Sequence, residues 1–465
     1  MNSRISAPGL IAVLFLLFGI MFSSLVLLKV EPHVPLMICV IVLGAFGMMS
    51  GAGWKTIEKG LIQGITSGLS PMLILLVIGF VISSWMMSGT VPTLLYYGMD
   101  YIQPEWFALS ALFITILVST FTGSSFTTIG TVGVALMGIG HVMGVNPGIA
   151  AGAIVCGACF GDKMSPLSDS TNLAPGITGV NMFTHIRHMM WTTIPALFIT
   201  AVVFFFIGKE DVAGNAAELE NIRQTLKTQF PISGLTLISP LAVMILAFMR
   251  KPIVPTLLAG VALSTITAFV LVPDLTLAKA VNVLQNGLQM QTGNAAVDSI
   301  VNKGGLIPMM WSISLIMIAL SLGGLFQVLG IFERLINAIE HKLHKAGNLI
   351  AATVASSIGV NALTGEMYLS IMLPGQAFKQ HYEKAGVPLK NLSRTLEDAG
   401  TLVNPLVPWS VSGAFIAATL NVPVLDYVPF AIMLWLSPLF ALFFGYTGIS
   451  LGLKKKQTKE GQAAA

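Results

Sequence analysis

Along this chain the apolar residues come in long unbroken runs rather than as the one-sided stripe of a surface helix. A membrane span needs about 20 mostly apolar residues, and the runs 8–28, 34–52, 70–88, 190–207, 234–249, 252–272, 306–328 and 424–447 meet or approach that length. The run 234–249 is short, but Pro231 and Pro240 bracket its start and no charge interrupts it. Segments 54–68 and 275–303 are mixed and amphipathic, which predicts an interfacial position. Residues 208–230 read as a polar connection, and 450–465 as a basic, alanine-ended tail expected to be disordered. Arg4 precedes the first run, but no A-x-A-like cleavage site follows it, so a retained helix is expected rather than a signal peptide.

Composition agrees with the pattern. Of 465 residues 55% are hydrophobic and 9% charged, whereas soluble domains carry about 25% charge. The fold class is an all-α polytopic membrane protein. Soluble, disordered, collagen-like and nucleic-acid-binding classes have no support. Three cysteines rule out a disulfide framework. Cys156 and Cys159 spell C-x-x-C inside a small-residue run with no second pair, so they read as packing residues.

Two stretches, 102–180 and 346–421, do not divide into ordinary spans. Each holds an apolar run broken by a polar, glycine-containing tip: Ser119-Thr-Phe-Thr-Gly-Ser-Ser125 and Asn361-Ala-Leu-Thr-Gly-Glu366. A second run follows, then a polar segment with proline inside: Gly161-Asp-Lys-Met-Ser-Pro-Leu-Ser-Asp-Ser-Thr-Asn172 and Thr401-Leu-Val-Asn-Pro-Leu-Val-Pro-Trp-Ser410. An offset of 242 aligns the two without a gap, pairing Thr122 with Thr364, Gly123 with Gly365, Gly133 with Gly375, Pro166 with Pro408 and Ser168 with Ser410. The identities concentrate on residues that shape backbone, which marks an internal repeat.

Lysine and arginine in short loops mark the cytoplasmic side. With both tip-bearing stretches read as re-entrant hairpins and the N-terminus inside, the short loops at Lys55 and Lys59, His185 to His188, Lys251, Lys342 and Lys345, Lys379 to Arg394 and Lys454 to Lys456 all fall inside. Residues 34–207 and 252–447 then form oppositely oriented units, each built as span, span, re-entrant hairpin, broken helix, span. The run 8–28 is an extra N-terminal span and 234–249 a linking span. Counting each hairpin arm as a full span leaves the parity unchanged. Inverted repeats whose broken helices meet near the midplane are a transporter architecture.

Proline in a helix leaves a carbonyl without its N–H partner. Pro166 predicts a freed carbonyl at Asp162, and Pro405 and Pro408 predict freed carbonyls at Thr401 and Asn404. Such oxygens, with nearby Asp, Ser, Thr and Asn side chains, suit a small hard cation. Asp162, Ser165, Asp169 and Asn172 would share one face wherever helix persists. An intramembrane carboxylate is costly unless paired, solvated or protonated. Burial favours its protonated form and a bound cation its ionised form, so one group can hold either H⁺ or Na⁺.

Asp162 is the leading candidate for that group, the plainer alternative being a structural ion pair with Lys163; Lys163 is a further candidate proton carrier where desolvation depresses its pKa. Glu366 occupies the slot of Ser124, so the tips are chemically unequal; the plainer alternative is a solvated loop acid. Thr122, Ser124, Ser125 and Thr364 are candidate ligands at the tips, or caps of short half-helices. Glu397 and Asp398 read as caps of the second broken helix. The pairs His185 with His188 and His341 with His344 have metal-compatible spacing but no partner, so they read as solvated interfacial histidines. No Walker A, H-E-x-x-H or G-x-G-x-x-G context appears; no enzyme activity is expected.

At Gly161-Asp-Lys-Met-Ser-Pro-Leu-Ser-Asp-Ser-Thr-Asn-Leu-Ala-Pro175, followed by His185-Ile-Arg-His188, the sequence closely resembles the NhaC-type sodium/proton antiporter family of the ion transporter superfamily. Trp85-Met-Met-Ser-Gly-Thr-Val-Pro92 with Tyr96-Tyr-Gly98, Thr122-Gly-Ser-Ser125 and Thr364-Gly-Glu366 extend the likeness over most of 8–450. The resemblance implies a bacterial inner-membrane homodimer with scaffold and transport domains, the latter moving as an elevator. Family members include coupled carriers of malate, lactate or amino acids.

The sequence therefore points to secondary active Na⁺/H⁺ antiport by alternating access, with Na⁺ and H⁺ as coupling ions and no other cofactor. Na⁺ is expected at Asp162 and the tip Thr122–Ser125, surrounded by Ser165, Ser168, Asp169 and Asn172. Asn404, Ser410, Thr364, Gly365 and Glu366 form the pseudo-symmetric side. Expected partners are the lipid bilayer, the two ions and a second copy of the chain, with both termini cytoplasmic. The alternative is organic-anion exchange such as malate/lactate on the same frame. The lack of an intramembrane arginine to clamp a carboxylate favours bare ions.

Overall fold

A computed structural model of the protein describes residues 7–28, 30–101, 103–207, 216–249, 251–331, 334 and 345–452. His341, His344, the tail from 453 onward and part of the polar connection, 208–215, lie outside the described residues. The described chain is helical. Among the described residues seven helices are long and apolar enough to cross a membrane, and three further pairs qualify as bent spans. This is an all-α polytopic membrane protein.

The chain begins with α1 (Ala7–Phe22), α2 (His33–Met49), α3 (Trp54–Ser67), α4 (Leu69–Met87) and α5 (Thr90–Tyr101). The first tip-bearing stretch holds α6 (Phe107–Thr122), α7 (Ser125–Thr128) and α8 (Val134–Val142), the last two joined by a π-turn at Ile129–Gly133. Its broken helix consists of α9 (Pro147–Met164) and α10 (Asp169–Thr178). Then come α11 (Met182–Ile207), α12 (Ala216–Gln229), α13 (Ile238–Phe248), α14 (Ile253–Leu271), α15 (Leu277–Asn286), α16 (Ala295–Val301) and α17 (Leu306–Val328). The second tip-bearing stretch is α18 (Ala346–Thr364) and α19 (Met367–Lys384). Its broken helix opens with α20 (Leu389–Leu396), continues through a π-turn at Glu397–Thr401, and resumes as α21 (Val411–Leu420) after a 45° bend. The chain closes with α22 (Val424–Tyr427) and α23 (Ile432–Thr447).

The offset read from sequence reappears in the backbone. Helices α6 and α18 end at Thr122 and Thr364, and each is stopped by a left-handed glycine, Gly123 and Gly365, both with φ of 67°. Only glycine adopts that conformation without strain. Ser124 and Glu366 then cap the next helices, their side chains accepting from the N–H of Thr127 at 3.2 Å and of Leu369 at 2.7 Å. One cross-helix bond is duplicated too: Ser119 Oγ donates to the Ala158 carbonyl at 2.6 Å, and Asn361 Nδ2 donates to the Gly400 carbonyl at 2.7 Å. The resumed halves α10 and α21 end on Gly179 and Asn421, again 242 apart and both with positive φ. Identical boundaries and tethers give the two stretches one local fold.

Around these stretches the spans pack by close approach. The amphipathic α3 lays Ile57, Gly60 and Gly64 against α17 while Lys55, Glu58 and Lys59 stay exposed. A Cβ on Gly64 would sit 1.9 Å from the Leu320 carbonyl oxygen, so the backbones touch where any side chain would separate them. Small residues allow this approach and maximise van der Waals contact where lipid supplies no hydrophobic drive. Trp85 Nε1 donates to Ser239 Oγ at 2.8 Å, and Ser264 Oγ to Ser84 Oγ at 2.7 Å, tying α4 to α13 and α14.

Gly64→Val is expected to push α3 off α17 and cost about 1–3 kcal/mol or more, as overpacking does, read as a lowered Tm in detergent. Gly53→Ala, at a glycine with no atom within 4 Å of the added Cβ, is the matched control and should leave Tm within a degree or so.

Candidate cation site

Asn146 starts α9 by accepting from the N–H of Gly148 at 2.9 Å, with Pro147 at the first helical position. Eighteen residues later the helix stops at Met164, before Pro166, in agreement with the bias against helix ahead of proline. Asp162 is thereby placed on the last turn of a helix that ends among protein atoms. Its Oδ2 accepts from both the backbone N–H and the hydroxyl of Ser125, at 3.0 and 2.6 Å. The first hairpin tip is thus held by the carboxylate of the first broken helix.

Asp162 lies on the wall of a cavity of about 570 Å³. Thr122, Gly123 and Ser124 of the first tip, Ser168 and Asp169 of the broken helix, and Glu366 of the second tip line the same space. So do Tyr368, Ser412 and, on α14's approach, Lys251. Asp169 is exposed at its edge, whereas Glu366 is buried, with 5% of its surface exposed. Glu366 is therefore not a solvated loop acid. A second cavity of about 1480 Å³ is lined by Glu31, Lys303, Trp311 and Asp426 and contains none of the tip residues. Pro408 lines that space and Ser412 the smaller one, so the start of α21 stands between the two.

The remaining predicted residues are placed apart from the cavity. Ser165, Thr364, Asn404 and Ser410 are buried. Asn404, which the repeat sets equivalent to Asp162, donates to Asn361 Oδ1 at 2.9 Å and the Gly365 carbonyl at 3.2 Å, and accepts from the Ser412 N–H at 3.0 Å. It ties the second tip much as Asp162 ties the first, but without charge. Thr364 Oγ1 donates back to the Val360 carbonyl and accepts from the Glu366 N–H. Asn172 is exposed, and its amide is spent on the carbonyls of Pro166 and Ser168. Because helix does not persist from Ser165 to Ser168, the common face expected for Asp162, Ser165, Asp169 and Asn172 does not form.

Five other expectations are corrected. The carbonyls at Asp162 and Asn404 are not left free: the first accepts from the Ser165 N–H and Thr171 Oγ1, the second from the Val407 N–H and Ser410 Oγ. Lys163 does not pair with Asp162. A helical step of about 100° turns it off the face that carries Asp162, and it binds Asp398 with both side chains fully buried. Asp398 also accepts from Thr192 Oγ1 at 3.0 Å, so it and Glu397 are buried members of a π-turn rather than helix caps. His185 and His188 are buried as well, joined to Ser393 at 2.6 Å and Asn391 at 2.9 Å. Arg394 is fully buried, donating to Ser450 Oγ at 2.9 Å, so the interior is not without arginine.

Sequence reading missed the Lys163–Asp398 pair. Its available signal was Lys163 itself, a lone intramembrane cation that must find an anion. Among the described residues no group of three or more His, Cys, Asp or Glu side chains is arranged to hold a metal ion.

Comparison with known proteins matches a model of the Na⁺/H⁺ antiporter family to residues 157–449, which include the first broken helix from its midpoint, the second tip and the second broken helix. The chain belongs to the Na⁺/H⁺ antiporter family. It is 53% identical over 452 residues to the Na⁺/H⁺ antiporter NhaC of Alkalihalophilus pseudofirmus, covering 97% of this chain and 98% of that one. It is 46% identical over 448 residues to the Na⁺/H⁺ antiporter NhaC of Bacillus subtilis, covering 96% and 99%. A malate-2H⁺/Na⁺-lactate antiporter of Bacillus subtilis is 33% identical over 457 residues, covering 97% of each. These relatives are named as transporters, not enzymes, and the antiporter family places this chain among multi-pass membrane proteins.

Within the antiporter the buried Lys163–Asp398 pair joins the first broken helix to the second. Lys163→Met, which strands a buried carboxylate, is expected to cost about 3–5 kcal/mol. The double change Lys163→Met with Asp398→Leu should recover most of it. Thermal unfolding of the three proteins in one detergent checks both statements.

Proposed function

We propose that this protein is a secondary active Na⁺/H⁺ antiporter of the bacterial cell membrane, in which Na⁺ and H⁺ compete for Asp162. The observation that carries the reading is the position of that carboxylate: on a cavity wall, at the break of a helix, with the first tip's Ser125 bound to one oxygen. Deprotonated, Asp162 offers a hard anionic oxygen to Na⁺, with Thr122, Ser124, Ser168 and Asp169 on the same wall. Protonated, it is neutral and holds no cation. Glu366 adds a second carboxyl to the cavity. Because one site cannot hold both ions, each crossing carries one or the other, which is the minimal requirement for exchange.

Alternating access needs the site to meet water from each side in turn. The two cavities separated by the start of α21 support such a cycle. In the topology that puts the basic loops inside, Ser67, Ser70 and Lys251 lie at the cytoplasmic end of the smaller cavity, so this form faces inward. Both termini are then cytoplasmic and the units 34–207 and 252–447 run in opposite directions. The two tips and two broken helices, cross-linked by Lys163–Asp398, move as one elevator-like body against the α3–α17 frame, in a homodimer.

A second reading is organic-anion exchange on the same frame, coupled to Na⁺ and H⁺. The cavity volume of about 570 Å³ exceeds what a bare cation needs, and Lys251 on its wall offers a charge for a carboxylate. The relative named as a malate-2H⁺/Na⁺-lactate antiporter supports it further.

Purified protein in liposomes with an acidic interior and a trapped pH dye separates the two. Na⁺ added outside should alkalinise the interior without any organic solute, and Asp162→Asn should reduce that rate to the level of empty liposomes. A response that appears only with malate or lactate supports the second reading instead. Full Na⁺-driven flux in Asp162→Asn removes Asp162 from the coupling role.

A further inference from the structure

Behind the cation cavity lies a group of ionisable side chains that the exchange at Asp162 does not use. Glu397 and Asp398 stand next to each other in the π-turn of the second broken helix, both fully buried. Lys163 neutralises Asp398. Glu397 has no cation of its own: Oε2 accepts from Thr401 Oγ1 at 2.6 Å, and Oε1 has no hydrogen-bond partner although it is sealed from solvent. The charges acting on it are Lys163 and Asp162 of α9 and its neighbour Asp398. Tyr368 of α19 faces it, Asp169 of α10 acts on that tyrosine, and Arg394 of α20 acts on Asp398. The packed helices α18 and α23 contribute no charged residue. One carboxyl in this group is therefore left over, in a place where a lone anion is costly and an added proton relieves the cost.

We propose that Glu397 is a second proton-binding site of the antiporter, whose charge sets how tightly Asp162 holds Na⁺. The step is a protonation alone: one H⁺ from water joins a Glu397 carboxylate oxygen and later returns to water. Ionised Glu397 adds a negative charge within electrostatic reach of Asp162 and strengthens cation binding. Protonated, it withdraws that charge and weakens binding. Linkage makes the effect reciprocal, so Na⁺ arriving at Asp162 favours release of the Glu397 proton. The inference rests on the Na⁺/H⁺ reading of the Asp162 site.

The test is the apparent KM for Na⁺ as a function of pH in liposomes containing the full chain. Direct competition at Asp162 alone makes KM fall as pH rises, with a limiting slope of magnitude one in log KM against pH. The wild type is expected to be steeper than one. Glu397→Gln should return the slope to about one and raise KM at alkaline pH about tenfold, within the usual range of coupling between sites. Glu397→Asp, which keeps the carboxyl, should keep the steep slope and guards against a glutamine variant that misfolds. A wild-type slope of one, or an unchanged slope in Glu397→Gln, overturns the inference while leaving Na⁺/H⁺ exchange intact. Absence of any Na⁺-driven flux in the wild type overturns the parent reading and this inference with it.

Discussion

A helix that stops inside a membrane protein leaves N–H and C=O groups with no water to meet them, and each must find a protein partner. The two tips and two helix breaks of this protein create that demand four times. Side chains meet it at every one: Ser124 and Glu366 cap the second arms of the tips, Thr171 reaches the carbonyls of Asp162 and Lys163 at the first break, and Ser410 caps α21. At the first tip the partner of the Ser125 N–H is Asp162. The carboxylate best placed to take a cation is therefore also part of what holds the tip helix in position. On the proposed reading, a cation at that carboxylate would compete with the Ser125 N–H and hydroxyl for the same oxygen.

The same demand explains why the repeat is symmetric in backbone and asymmetric in charge. Asp162 and Asn404 occupy equivalent positions and both secure a tip, but all the side-chain bonds shown for Asn404 are internal and it carries no charge. The second unit contributes its carboxylates elsewhere, with Glu366 at the cavity and Glu397 and Asp398 behind it. Lys163 crosses to Asp398, so the two broken helices are joined by a bond that is strong only because both ends are excluded from water. Thr192 brings α11 into the same junction.

Much of this was legible beforehand because it depends on local chemistry. The spans 306–328 and 70–88 fall within a residue of α17 and α4, since length and apolarity alone decide them. Gly123 and Gly365 announced the ends of α6 and α18, because a left-handed stop favours glycine. Pro166 in the motif around Asp162 announced the break between α9 and α10. Less legible were residues whose role depends on direction. Asn172 reads as a ligand by spacing, yet the break at Pro166 turns it away to solvent. His185 and His188 read as loop residues, yet α11 begins at Met182 and buries them against Ser393 and Asn391.

By itself the sequence determined that the protein lives in a membrane, roughly where its longest apolar helices run, and that its two tip-bearing stretches share one local plan. These follow from the solvation of apolar runs and from the backbone preferences of glycine and proline, which act over a few residues. Only the tertiary structure decided which buried charges meet. Asp162 and Lys163 are neighbours in the chain but leave α9 in different directions, one to the cavity and one to Asp398, 235 residues away. In an interior of low dielectric the energy of a charge is set by its nearest partner in space. That partner is chosen by packing, which no local pattern along the chain records.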